Sequence, residues 1–377
     1  MEYNILITGG SGYLGGTLLN QLESADLPKY HKLFSFVRSD AQAEAVKQYS
    51  AEPLQFDMRD ETSVRDIILQ NRINVVFFLV DAISSNSQES FIKALAELRK
   101  TTGQDVHFLH ASSPPWVFYF PAADSYCEIQ TSGAKAFSNH AGAPIDHLLF
   151  DDDPNLYEIQ KSQRSSLPIM QQGVETNNRI IELSESLGVK SYIFSPCVVY
   201  GKGEGFGNKV SIQTAAIVRA ARATRRVYNP NERDDWAWPV CHLLDNTMLY
   251  VEILRKILSS EDIPHGRNGY YLPSSGRVRW KDVYESIATA LFKRGLLEDS
   301  AVHPANDDIL GAMAGALDSP KEMVAVQIGG ECLLEARNGL KIGWKPVFPP
   351  EHILDVLDQE VDLVLSDGAQ KSHGEAR

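Results

Sequence analysis

The chain's 377 residues, 43% of them hydrophobic and 23% charged, suffice to bury a large core in one large or two closely joined domains. A net charge of −13 repels polyanions and excludes general binding to nucleic acid or to an anionic membrane surface. Four widely spaced cysteines with no C-x-x-C pair, no bilayer-length apolar run, and a first strand reached directly from Met1 predict a cytoplasmic protein without a metal centre.

In chain order, Asn4-Ile5-Leu6-Ile7 reads as a buried strand, and Leu14, Leu18, Leu19 and Leu22 as the inner stripe of a helix. Between them stands Thr8-Gly9-Gly10-Ser11-Gly12-Tyr13-Leu14-Gly15. A glycine-rich turn from strand to helix is the geometry a pyrophosphate needs. Gly9 permits the sharp exit, Gly12 lets backbone approach phosphate, and Gly15 lets the helix sit close to the sheet. Strands are then predicted at Lys32–Val37, Pro53–Phe56, Asn74–Val80, Asp105–His110 and Ser191–Ser195. Helices are predicted between them at Ala41–Gln48, Ser63–Asn71, Gln88–Arg99 and Met170–Leu187. Short unbroken apolar runs are how strands buried on both faces read. The alternation therefore predicts an α/β fold, a doubly wound parallel Rossmann sheet, over residues 1–200.

After Gly201 the character changes. Helices at Ser211–Ala223, Leu243–Leu258 and Trp280–Leu291 mix with short strands at Trp236–Cys241 and Gly269–Leu272. This pattern predicts a smaller C-terminal α/β lobe over residues 201–365 that binds substrate at the carboxyl ends of the strands. The polar stretch 366–377 is expected to be a disordered tail.

Arg38 directly follows the second strand, where an acidic residue would suit the ribose of NAD and a cation suits the extra phosphate of NADP. Asp40 two residues on keeps NAD open. Asp57 and Met58 end the third strand, where they would meet the adenine, and Leu79 and Val80 end the fourth, beneath the adenosine ribose.

These residues resemble the extended short-chain dehydrogenase/reductase superfamily, also described as the NAD-dependent epimerase/dehydratase family. Thr8–Gly15 is similar to its T-G-x-x-G-x-x-G signature, and Val37-Arg38 to its NADP-using reductase branch. Ser195-Pro196-Cys197-Val198-Val199-Tyr200-Gly201 resembles R-P-x-x-x-Y-G, with serine in place of arginine; the resemblance implies that Pro196 lies near the nicotinamide. His242-Leu243-Leu244-Asp245 and Gly343-Trp344-Lys345-Pro346 resemble later family elements.

The family's hydride-transferring members carry a Tyr-x-x-x-Lys pair in which lysine lowers the tyrosine pKa and holds the nicotinamide ribose. Aligned on Glu182, this chain has Val174 and Asn178 at those positions. Valine moves no proton and asparagine supplies no charge, although Asn178 can still hydrogen-bond a ribose hydroxyl. In this the chain resembles atypical fungal members that keep the fold and the loop but lack the dyad. Tyr126 and Tyr157 are substitute tyrosines to weigh, each more simply a packing residue.

The resemblance also implies a catalytic serine after the fifth strand. Ser132, within Thr131-Ser132-Gly133, is the first candidate, and Ser112 the second. Choosing Ser132 makes residues 111–130 an insertion, rich in aromatics and proline and without clean periodicity. The segment is either a lid over an apolar pocket or the product of a retained intron; a transcript lacking these codons removes the lid. Asp151-Asp152-Asp153 reads as a solvated loop, and His242 with Asp245 as a helix start.

The function expected is an NADP-dependent oxidoreductase, with NAD possible, acting on a small carbonyl or alcohol substrate. The alternatives are a redox-silent nucleotide-binding sensor or scaffold, and a lyase or isomerase reusing the fold. The expected partners are a small-molecule substrate and a second copy of the chain, with no nucleic acid and no membrane.

Overall fold

The computed structural model describes residues 2–80, 85–111, 115–120, 125–130 and 133–374. Its first half alternates as the hydrophobic pattern requires: β1 Asn4–Ile7, α1 Tyr13–Ser24, β2 Lys32–Phe36, α2 Asp40–Lys47, β3 Glu52–Leu54, α3 Glu61–Gln70, β4 Val75–Phe78, α4 Asn86–Thr102 and β5 His107–Ala111. Helix Pro168–Leu187 and strand Lys190–Phe194 continue the series. Seven strands form one parallel sheet in the order Tyr270–Tyr271, Lys190–Phe194, β5, β4, β1, β2, β3. The doubly wound parallel sheet expected from the sequence is therefore present, and its edge strand, Tyr270–Tyr271, returns from the second half of the chain.

The central strands are buried on both faces, which is why their sequences run apolar without alternation. On one face Phe78 meets Phe91 of α4 edge-on, with ring centroids 5.5 Å apart. On the other, Phe194 stacks on Tyr250 of the helix Leu243–Leu258 at 3.7 Å. Beyond residue 200, strand Val198–Tyr200 runs parallel to Ala237–His242, which pairs antiparallel with Gly276–Arg279. The last helix, His352–Gly374, takes in most of the polar C-terminal stretch. No helix among the described residues is long and apolar enough to cross a membrane.

Two expectations meet the structure here. Within residues 111–130, Pro115–Phe120 and Ser125–Gln130 form an antiparallel hairpin that pairs with no other strand among the described residues. The segment's ends come back to one place. Ala111 pairs with Phe194, and Gly133 packs so closely on Ser195 that a Cβ would lie 2.9 Å from that residue's Cα.

The Asp151–Asp153 run is not the solvated loop its charge suggests. Asp151 is 1% exposed, and its carboxylate accepts from the N–H groups of Leu272 (2.9 Å), Arg337 (2.6 Å) and Asn338 (2.8 Å). Backbone donors brought from distant residues replace water around the carboxyl, and burial outweighs them, pushing its pKa up to about 7.

Candidate functional site

The glycine loop closes the carboxyl end of β1. Gly9 has φ +75°, and a Cβ there would stand 2.7 Å from the carbonyl oxygen of Leu79. Only glycine takes that turn without strain. The Gly12 N–H donates to Gly9 O at 2.9 Å, and a Cβ on Gly15 would overlap the same oxygen. Gly15 thus lets the first turn of α1 rest on the loop. The α1 N-terminus carries no side-chain cap, so its N–H groups remain available to an anion.

From this turn a cleft of about 640 Å³ runs across the strand ends, lined by Gly9, Ser11, Gly12, Arg38, Asp57, Met58, Leu79 and Val80 among others. All eight were singled out in the sequence. The remaining loop residues support it from behind. Thr8 is fully buried; its hydroxyl donates to Phe77 O (3.3 Å) and accepts from the Leu79 N–H (2.9 Å), locking the end of β4 beside β1. A Cβ on Gly10 would meet Leu19 at 2.6 Å, Leu14 packs beside Tyr13, and the Tyr13 hydroxyl donates to Gly201 O.

Arg38 is fixed at both ends of its peptide. Its N–H donates to the Gln42 side chain at 2.8 Å, and its carbonyl accepts from Gln55 at 3.4 Å. The guanidinium, beside the Ser39-capped start of α2, makes no ion pair among the described residues. Sequence reasoning missed Arg59, which lines the same cleft and pairs with Asp57 at 3.2 Å. The backbone N–H and the guanidinium of Arg59 hold the Asp57 carboxyl below the usual range. The signal was available: Arg59 directly follows Asp57-Met58.

The other half of the site lies where β5 and Lys190–Phe194 end. Pro196 accepts from the Ala134 N–H at 2.9 Å, which brings it to the chain just after Thr131-Ser132-Gly133. Ser132 and Ser112 themselves lie outside the described residues. Asn178 is half-buried, with its side-chain oxygen buried and lacking a hydrogen-bond partner. Next to it Arg179 reaches Glu89 of α4 through two bonds of 2.8 and 3.0 Å.

Val174 is 1% exposed and packs in an apolar cluster with Ala141, Met170, Met323 and Val326. Tyr157 is also buried; its hydroxyl donates to Glu182 at 2.7 Å, the packing role expected of it. The side chain of Tyr126 lies outside what the structure describes.

One titratable group sits behind the loop. Glu360 is 4% exposed and accepts from the Gly201 N–H at 3.1 Å, while its second oxygen has no partner. Burial pushes its pKa up to about 7. Because the folded pKa exceeds the ordinary one, the native state keeps a proton that the unfolded chain gives up. Glu360's contribution to stability is then fully present at acidic pH, is lost as pH rises from about 4.5 to 7, and levels off above that. Thermal melts of Glu360→Gln should fall less steeply than wild type over this range, with Asp151, likewise pushed up to about 7 by burial, supplying the remainder; identical slopes in both proteins would exclude Glu360 as a source.

The comparisons with known proteins agree with the fold. The model of the NAD dependent epimerase/dehydratase family matches residues 5–128, the first third of the chain. Vestitone reductase from alfalfa superposes with a TM-score of 0.58 at 13% identity, covering 95% of this chain and 98% of that one. The dTDP-glucose 4,6-dehydratase of Bacillus anthracis, solved with NAD, gives 0.58 at 12% identity and 96% of each chain. UDP-glucose 4-epimerase of Thermotoga maritima, solved with UDP-glucose, gives 0.54 at 13% identity, covering 96% and 99%. No curated protein sequence matches. At such identities the likeness shows the fold, and it spans nearly the whole chain.

Proposed function

We propose that this chain is an NADP-preferring oxidoreductase of the extended short-chain dehydrogenase/reductase type, acting on a small carbonyl or alcohol substrate. One observation carries the reading: a single cleft has a free helix N-terminus at one end and two guanidinium groups, Arg38 and Arg59, at the other. That spacing of donors suits a dinucleotide with a phosphate on its adenosine ribose. Its nicotinamide, when bound, would supply hydride acceptor or donor chemistry.

In this reading the Ser11 and Gly12 backbone receives the diphosphate, Met58 and Asp57 border the adenine, and Leu79 and Val80 lie under the ribose. Arg38 and Arg59 take the 2′-phosphate. Pro196 borders the nicotinamide, and Asn178 offers its amide to a ribose hydroxyl. Ser132, with Ser112 as second choice, polarises the substrate oxygen. Water or a non-standard acid exchanges the proton, since position 174 has none to give. NAD fits the same loop, with Arg38 turned to solvent, and a homodimer is the assembly we expect.

The test is a fluorescence titration with NADPH and NADH. Micromolar NADPH binding with weaker NADH binding is expected. Arg38→Asp should weaken NADPH by about 2 kcal/mol and leave NADH nearly unchanged. Equal NADPH affinity in both proteins would remove Arg38 from the site, and binding of neither nucleotide would overturn the reading.

The packing of Val174 favours a second reading, a redox-silent protein that binds the nucleotide as a sensed or structural ligand. Cofactor turnover with a carbonyl panel separates the two. Product formed without cofactor consumption would identify a lyase or isomerase instead.

A further inference from the structure

Thr8–Gly15 contains no charged side chain. What it offers an anion is N–H groups and a helix N-terminus, equivalent to roughly half a positive charge. Arg38 and Arg59 stand at the ends of β2 and β3, at the other side of the cleft. A doubly charged diphosphate at the loop would therefore remain under-neutralised by these groups.

A second glycine-rich segment lies directly on the first. In Gly201-Lys202-Gly203-Glu204-Gly205-Phe206-Gly207-Asn208-Lys209, every alternate residue to 207 is glycine. The structure gives the reason. A Cβ on Gly207 would overlap the Ser11 carbonyl oxygen, one on Gly205 would stand 2.5 Å from the Gly16 Cα, and one on Gly203 3.1 Å from the Tyr13 ring. Hydrogen bonds fasten the two segments together. The Asn208 N–H donates to Ser11 O at 3.0 Å, the Glu204 N–H to the Thr17 hydroxyl at 3.2 Å, and the Tyr13 hydroxyl to Gly201 O.

The Gly203 N–H donates to Lys209 O at 2.9 Å, folding the strap so that Lys209 directly follows the residue bonded to Ser11. Lys209 is exposed and forms no ion pair among the described residues. The strap's other lysine, Lys202, stands at the opposite end and lines a separate cavity with His242, Gln359, Glu360 and Asp362.

We propose that the strap Gly201–Lys209 is a wall of the dinucleotide site and that Lys209 supplies the cation that pairs with the diphosphate. The assignment rests on the nucleotide-binding reading above. The three close glycine contacts and the three hydrogen bonds hold the strap against the loop. They set Lys209, exposed, next in the chain to Asn208, whose N–H is bonded to the carbonyl of Ser11 at the cleft's edge.

The experiment compares NADPH and NADH affinities of wild type, Lys209→Ala, Lys209→Arg and Lys202→Ala at two salt concentrations. Lys209→Ala should weaken both nucleotides by the same factor, about tenfold, and flatten the salt dependence. Lys209→Arg should restore most of the affinity, and Lys202→Ala should behave as wild type. Unchanged nucleotide affinity in a normally melting Lys209→Ala protein would overturn the assignment while leaving the NADP reading intact. If wild type binds neither dinucleotide, that reading falls, and inorganic pyrophosphate decides the lysine alone. A thermal shift seen in wild type and lost in Lys209→Ala supports it, and no shift overturns it.

Discussion

Asp151→Ala is expected to lower the unfolding free energy by about 4 kcal/mol. The substitution leaves three buried N–H groups, those of Leu272, Arg337 and Asn338, without their acceptor. Each such orphan costs on the order of 1–3 kcal/mol, and partial relaxation keeps the sum below the maximum. Asp151→Asn retains one acceptor oxygen and should cost about half as much.

The damage should not stay local. Asn338 donates to Asp151 O, Asn268 O and Tyr270 O, so one knot joins the chain before helix Pro168–Leu187, the sheet's edge strand and the C-terminal region. Tyr271 O in turn accepts from the Ser195 N–H at 2.9 Å, one residue before Pro196. Nucleotide affinity should therefore fall together with stability. Urea denaturation of the two variants measures the first effect. A loss under about 1 kcal/mol for Asp151→Ala would mean that water reaches these N–H groups.

What the sequence revealed and what it hid divide along a physical line. The parallel sheet, the glycine turn and Arg38 depend on residues close in the chain, where strand periodicity and turn chemistry leave their mark. Arg59 was equally local, and its place beside Asp57 follows from the third strand ending at the cleft. The hidden features are contacts between distant segments. Nothing around Asp151 announces that Leu272 and Arg337 will donate to it, so a triple aspartate reads as a charged loop. Nothing local to the glycines at 203, 205 and 207 announces that Tyr13, Gly16 and Ser11 lie beneath them. That position 174 holds a valine is plain in the sequence, but not that Met323 and Val326 pack around it.

That packing leads to the second large effect. Installing a Tyr-x-x-x-Lys pair with Val174→Tyr and Asn178→Lys is expected to destabilise the protein by about 3 kcal/mol and to add no hydride transfer beyond that of wild type. A tyrosine at 174 must enter a cluster already closed by Ala141, Met170, Met323 and Val326, and its hydroxyl would be buried there without an evident partner. Asn178→Lys alone, at a half-buried position beside the Arg179–Glu89 pair, should be tolerated and can serve as the control. Thermal melts and NADPH oxidation over a carbonyl panel read both outcomes. A double variant that melted like wild type and consumed NADPH faster than wild type would mean that the cluster yields and that only these two side chains limited the chemistry. A destabilised variant no faster than wild type would mean that the fold around position 174 has been rebuilt. The proton in any reaction this chain performs must then come from a group outside the helix Pro168–Leu187.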